Sequence, residues 1–510
     1  MGFTKITGPD TVEGADKVYV DGPSSTFGDL KVVTGFPQAQ GDFVYGISER
    51  VFRTSSFAGA TVTAVSGVCE LESGTNAAGS ATVQLRRGLK YRPGQGSQAM
   101  MTALFDTPNA GNAQFVGTGT AECGYFIGYF GTSFGILHSE KGQREVRTYT
   151  VSAGAGEEDV TVTLDGNSVV VPVSGGSDTT QTAYQLTLYD YGQVGNGGWL
   201  ADAIGNTVTF IAARSNSTST GSYSITSAGS IDGSFARTLA GEAQTNTFIS
   251  QSAFNTDTID GNGPSGMTLD TTKGNVFDIQ FQYLGFGNAR FSVEDPETGK
   301  FATMHMIKNT NNRTTPVLKN PNVSVLATSA NIGGTTSAKL KTASMAGFIE
   351  GQVRELDPKF SKSFTISGIN TATYKPLASL KVNRIYNGES CFGEFDLLRL
   401  AGANTVNNQS VTIALFLGAE LGGDVNFEYI NETQSIVSFA SLNPGAGGNT
   451  ITNLADISPL FELVVASDSS VLTDLSDLNI TAGLGDELVI AIKTSASVTG
   501  DVALSWFEQQ

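Results

Sequence analysis

The chain has 510 residues, with Lys+Arg 30 against Asp+Glu 48 and a net charge of −18. That length suits two to four domains, and the acidity argues against direct nucleic-acid binding, which needs a basic stripe to displace counterions, and against electrostatic docking on anionic membranes. Charged residues make up only 15%, with Ser, Thr, Asn, Gln and 61 glycines in their place, a weakly charged polar surface common in large β-rich extracellular or virion proteins.

The opening Met1-Gly-Phe-Thr-Lys5 shows no basic-then-apolar leader, and no run reaches the roughly 18 apolar residues of a membrane span. The expectation is a product made in a host cytoplasm and neither exported by the usual route nor anchored, which a virion component released by lysis satisfies. Residues 1–30 are polar and turn-rich, and read as an N-terminal arm ordered against a neighbouring subunit.

From 31 to 150 short β-like runs alternate with turns, as in the first part of a β-sandwich. The runs are Phe43–Ile47, Thr61–Val65, Ala81–Leu85, Ala99–Phe105, Gln114–Gly117, Tyr125–Phe130, Ser133–Ser139 and Val146–Val151. Aromatics set between glycines from Gly124 to Gly131 point to close strand contact. Residues 151–245 change rhythm. Val160–Leu164, Asp165-Gly-Asn167 and Ser168–Val173 form a hairpin signal, and Ser177-Asp-Thr-Thr180 caps a helix reaching about Tyr189. Strands at Asn206–Ala213 and Gly221–Ile225 complete a small α+β (ββαββ) inserted module, with an exposed loop at 215–221.

Residues 246–344 supply the second part of the sandwich. Its centre is a meander from Gly274 to Ile307, in which Phe277, Ile279, Phe281 and Tyr283 alternate as on a strand with one buried face. The turn Glu294-Asp-Pro-Glu-Thr-Gly299 separates its later strands; residues 331–344 read as an edge strand or linker. Residues 345–510 give a C-terminal β-sandwich, jelly-roll-like, with runs at Phe364–Ile366, Leu377–Val382, Glu394–Leu400, Val411–Leu417, Ile436–Phe439, Leu460–Val465, Leu488–Ile492 and Val502–Trp506. The last two runs suggest a terminal hairpin. The fold class is therefore mostly β and multi-domain.

Candidates for chemistry are few. The two histidines, His138 and His305, sit in apolar strand-like runs without the sequence context of a catalytic base. Cys69, Cys123 and Cys391 are dispersed and odd in number, as buried free thiols are, so no zinc or disulfide pattern arises. Glu294, Asp295 and Glu297, like Glu157 and Asp159, are turn or connector acids rather than a glycosidase pair. Asp257, Asp260 and Asn262, and separately Asp468, Asp474 and Asp477, bring oxygen donors close in sequence but lack the spacing of a calcium loop. Arg86-Arg-Gly-Leu-Lys-Tyr-Arg92 is the one basic cluster, read as a strand edge or subunit contact. Trp199, in Gly197-Gly-Trp-Leu200, is a candidate aromatic for binding a glycan.

Tyr91-Arg-Pro-Gly-Gln-Gly96 and Phe126–Leu137, followed by Tyr283-Leu-Gly-Phe-Gly287, Glu294–Gly299 and Asn320-Pro321, resemble in order a pattern found in virion structural proteins of tailed phages and some large DNA viruses. The resemblance covers roughly 85–325. It implies a tail, collar, baseplate or fibre component and carries over no catalytic residue. The sequence expectation is thus a non-enzymatic virion structural protein, with no cofactor and no metal. Its partners would be copies of itself, as a trimer or ring, and other virion proteins. The alternative is a host-surface glycan-binding adhesin at a fibre or spike tip.

Overall fold

In a computed structural model the described residues are 35–154, 156–173, 178–215, 221–351, 357–406, 408–478 and 480–509, with the short strand pair Thr4–Lys5 and Val18–Tyr19. The arm expected at 1–30 lies outside the described residues apart from that pair, as does most of the loop expected at 215–221.

Two antiparallel sheets face each other in the first sandwich. One has seven strands in the spatial order Thr245–Ser250, Ser133–Glu140, Gly124–Phe130, Asn112–Gly119, Ser324–Asn331, Ser80–Leu85 and Phe52–Phe57. The other has six: Phe301–Ile307, Ala289–Glu294, Asn275–Phe281, Ser97–Ala103, Ser344–Glu350 and Gly35–Asp42. The central meander forms as the alternation requires. Phe277, Ile279 and Phe281 point into the core with Phe291 and Val293 and meet Tyr125 and Ile127 of the opposite sheet. Asp278, on the other face, is held by Gln98 and Gln280 at 2.7 and 2.9 Å. The strands at either end of the chain segment, Gly35–Asp42 and Ser344–Glu350, pair with each other, so the sheet closes over about 300 residues of sequence.

Three expectations for this region change. Phe43–Ile47 is not a strand: Asp42 accepts a hydrogen bond from the Val44 amide at 3.1 Å and Gly46 takes φ +94, turning the chain so that Tyr45 is fully exposed. The strand falls earlier, at Gly35–Asp42. The boundary drawn at 150/151 cuts the strand Arg144–Ala153, which pairs with Thr207–Ser215 and Asp232–Leu239 of the inserted module. The boundary at 344/345 separates a strand from its sheet, because Ser344–Glu350 pairs with Ser97–Ala103. Within 331–344 the expected edge strand is present: Lys339–Thr342 is the outer strand of a small three-stranded sheet with Val68–Glu72 and Thr61–Val65.

The module contains a four-stranded sheet (Trp199–Ile204, Thr207–Ser215, Arg144–Ala153, Asp232–Leu239) and a three-stranded one (Asn167–Val173, Glu158–Leu164, Ser224–Ser227) around its own core. It therefore holds three strands beyond the ββαββ pattern. The helix runs from Thr179 to Leu186. Asp178 caps it, accepting from the Gln181 amide at 2.8 Å and the Thr180 hydroxyl at 2.7 Å, as an N-cap carboxylate does. It ends three residues before Tyr189, where the Tyr191 hydroxyl takes up the Leu186 carbonyl at 2.8 Å.

The second sandwich places Lys359–Ile369, Val498–Gln509, Glu394–Asn404 and Ser469–Asp474 in one sheet. Its partner sheet runs Glu428–Tyr429, Val437–Ser441, Lys375–Val382, Glu487–Thr494, Val411–Leu417 and Phe461–Val465. Trp506, Phe395, Leu400 and Ile413 fill the space between. The expected terminal hairpin does not exist: Glu487–Thr494 and Val498–Gln509 belong to opposite sheets, and the chain crosses the sandwich between them. The outer face of the partner sheet is also covered. Phe416, Val489 and Ala491 pack there against Phe427, Leu442 and Tyr184 of the module helix, which is why Leu488–Ile492 is apolar at every position rather than alternating.

Candidate functional site

The chemistry-bearing residues singled out from the sequence turn out to be spent on the fold. His138 is buried, stacked on Tyr125 at 4.7 Å between ring centroids. Its Nε2 lies 3.0 Å from the Val317 carbonyl and its Nδ1 3.1 Å from Glu140, which also pairs with Arg313. Burial lowers its pKa while Glu140 pulls the other way. His305 accepts a hydrogen bond at Nδ1 from the Asn255 amide at 3.1 Å. Among the described residues neither imidazole is hydrogen-bonded to a hydroxyl or a thiol. The three cysteines are buried and free. Burial pushes the Cys69 thiol up to about 12 and the Cys391 thiol to about 11, and raises Cys123 as well, so none offers a thiolate near neutral pH.

The acidic loops satisfy themselves. Asp295 accepts from the Glu297 amide at 3.0 Å and the Thr298 hydroxyl at 2.8 Å, tying its own turn. Glu158, next to Glu157 and Asp159, takes the amides of Ser230 and Ile231 at 3.0 and 2.6 Å and the Ser227 hydroxyl at 2.7 Å. Asp257 accepts from the amides of Ile259 and Ser265 at 2.8 and 2.7 Å, Asp260 from that of Asn262 at 3.0 Å, and Asp474 from that of Ser476 at 2.9 Å. Among the described residues no three His, Cys, Asp or Glu side chains converge on a common point. Trp199 is only 2% exposed and sits in the module core, its Nε1 3.3 Å from Asp165, so it cannot offer a face to a sugar.

The basic cluster departs most from expectation. Rather than a free strand edge, it forms the seam between the two sandwiches. Lys90 and Glu394 form an ion pair at 3.0 Å with both side chains nearly out of water. The same carboxylate accepts from the Gly88 amide at 2.8 Å. Arg87 meets Asp396 at 2.9 Å, Arg92 meets Asp357 at 3.4 Å, and Arg86 shares Asp486 with Arg53. Lys319 of the first sandwich also reaches Glu389 of the second at 2.9 Å. The module is tied in as well: Lys381, which lies over the Phe427 ring at 3.8 Å, pairs with Asp202.

Where these three units meet lies an open pocket of about 560 Å³. Phe52, Arg53 and Arg86 come from the first sandwich, Arg144 and Leu200 from the module, and Arg384 and Asp486 from the second sandwich. Arg144 is 3% exposed. Its Nε lies 3.3 Å from the Ser390 hydroxyl and 3.8 Å from Glu122, and its guanidinium rests over Phe392. Its Nη2 has no hydrogen-bond partner among the described residues. Burial lowers the Arg144 pKa to about 10 and lowers that of Arg384 too. Of these residues the sequence pointed only to Arg86; the others are scattered over more than 300 positions, and only the folded chain collects them.

No protein-family model matches this sequence, and none of the curated proteins compared with it does. Among solved structures, the chain is similar to peanut lectin with a nine-residue peptide (9% identity, TM-score 0.23, covering 64% of this chain and 100% of that one). It is similar to lectin UEA-II complexed with galactose (7%, TM-score 0.21, 62% and 99%). A further similarity is to the turret protein of an archaeal virus, described as a triple jelly roll (9%, TM-score 0.15, 96% and 98%). Likenesses this slight carry no inference about binding or assembly. The β-sandwich architecture rests on the sheet pairings themselves.

Proposed function

We propose that the chain is a non-enzymatic structural protein of a virus particle, a tail, collar, baseplate or fibre component that joins copies of itself and other particle proteins. The observation that carries this reading is the fate of its reactive groups. The histidines and turn acids are hydrogen-bonded into cores and loops and the thiols are buried, while several close charge pairs fasten three β units together. A building block needs that investment, whereas an enzyme of this size keeps a general acid or base in a cleft. The ordered motifs from Tyr91 to Pro321 support the same assignment. Mass spectrometry of purified particles, with copy number per particle, tests it. Recovery at a fixed stoichiometry is expected, and absence from particles overturns the reading.

A second reading, attachment to a host-surface glycan, draws on the pocket at the three-unit junction rather than on Trp199. It adds a ligand to the same particle protein.

A further inference from the structure

We infer that the pocket at the junction of the two sandwiches and the module binds a small oxyanion-bearing ligand, whose carboxylate or phosphate group is taken up by Arg384 and Arg144.

The argument begins with charge that the fold leaves over. In a chain of net charge −18 with 48 Asp and Glu residues, four arginines line one pocket: Arg53, Arg86, Arg144 and Arg384. Asp486 is shared by two of them, Arg53 at 3.0 Å and Arg86. Glu394, on the same wall, is engaged by Lys90 and the Gly88 amide. Arg384 makes no hydrogen bond or ion pair through its guanidinium among the described residues, and it feels Asp202 and Asp486 only at longer range. The Arg144 Nη2 is buried with no acceptor. Arg144 is already paired with Glu122 and Ser390 and keeps one nitrogen over, while Arg384 stands half-buried on the pocket wall, and guanidinium donors left over beside an open space favour an anion.

The geometry is also that of a built site. Arg144, a wall residue of the pocket, is held in place by Ser390, Glu122 and the Phe392 ring, with its Nη2 buried and unpaired among the described residues. The forked donors of arginine suit carboxylate and phosphate oxygens, often in pairs. Phe52, Leu200 and Phe392 add apolar wall. A volume of about 560 Å³ is larger than an inorganic ion needs and falls in the range of small-molecule sites, roughly 300–1,000 Å³. An acidic monosaccharide and a phosphorylated small molecule both present the required group.

The test is calorimetric titration of the full chain at low and high salt with N-acetylneuraminic acid, glucuronic acid and inorganic phosphate, galactose serving as the neutral control. Binding of at least one acidic probe, weakened by salt and reduced at least about tenfold by Arg384→Gln, is expected. Acidic sugar without phosphate, or the reverse, supports the site and fixes which source of oxyanion it takes. A second variant, Leu200→Trp, fills the wall without removing a charge and should block the same probes. It decides the matter if Arg384→Gln fails to fold by circular dichroism. No binding by any acidic probe, equal binding by wild type and both variants, or equal binding of galactose would overturn the inference.

Discussion

Lys90 Nζ and Glu394 Oε2 meet at 3.0 Å with their side chains only 6% and 7% exposed, one from the first sandwich and the other from the second. An ion pair so withdrawn from water gains little over an apolar pair, but losing one member strands a buried charge. Glu394→Gln keeps an oxygen for the Gly88 amide yet leaves Lys90 unneutralised. It should lower stability by about 3–5 kcal/mol, read as the denaturation midpoint in urea. Lys90→Met combined with Glu394→Gln should recover most of that loss. A double variant no better than the single one would show that the charge pairing is not what matters at this seam.

The seam also bears on cooperativity. The two tryptophans report on different units: Trp199 is buried in the module and Trp506 in the second sandwich, its Nε1 2.9 Å from Glu508. Because Lys381 and the Tyr184–Phe416 cluster join those units, fluorescence of Trp199→Phe and of Trp506→Phe should show the same urea midpoint relative to each variant's own circular-dichroism transition. Separate midpoints would mean that the units unfold independently. Asp165→Ala probes the module further. That carboxylate receives the Trp199 indole N–H and the Asn196 amide at 3.2 Å, as well as the Tyr223 hydroxyl. Its removal should cost about 1–3 kcal/mol.

Acid sensitivity follows from His305. Its Nδ1 accepts the Asn255 amide, so protonation would turn an acceptor toward a donor, and burial lowers its pKa from the ordinary 6.5. The unfolded chain therefore binds the proton more readily than the folded one. The stability contributed is present above about pH 6.5 and is lost as pH falls through the depressed folded value. Thermal midpoints of wild type should fall on acidification below that point. His305→Gln, which keeps an acceptor but cannot titrate, should fall less steeply over the same interval. Identical slopes would remove His305 from the acid response.

Much of the strand pattern was legible because alternation and turn chemistry are local. Thr61–Val65 and Val411–Leu417 fall where the sequence places them, and the meander from Asn275 to Ile307 follows from Phe277, Ile279 and Phe281. What failed was non-local. Nothing within Leu488–Trp506 reveals that its two strands lie in opposite sheets, since both are apolar and a short connection joins them. Asp232–Leu239 is polar and mostly exposed, so it carries no hydrophobic signal. The junction pocket was invisible for the same reason: Arg53, Arg144 and Arg384 are isolated residues in sequence, and the Arg86–Arg92 cluster acquires its meaning only from acids some 300–400 residues away.

The glycine-aromatic run at 124–131 gives the sharpest steric prediction. Gly128 has φ +153 and a Cβ built there would lie 2.0 Å from the Gln114 carbonyl oxygen of the neighbouring strand. Two residues earlier, the Phe126 ring covers Gly117, Gly119 and Gly124, at 2.6–2.8 Å from where their Cβ atoms would stand. The ring can lie flat on the sheet only because those positions lack side chains. Gly128→Ala cannot be absorbed by a side-chain rotation, since the obstacle is backbone, and should cost about 1–3 kcal/mol or more. Phe126→Ala removes an aromatic cover that is only 8% exposed while leaving the backbone pairing of Gly124–Phe130 with Asn112–Gly119 intact. Hydrogen exchange separates the two: Gly128→Ala should raise exchange on both paired strands, whereas Phe126→Ala should lower stability without singling out those amides. Wild-type protection at Gln114 and Phe115 in Gly128→Ala would show that the sheet has room the geometry denies.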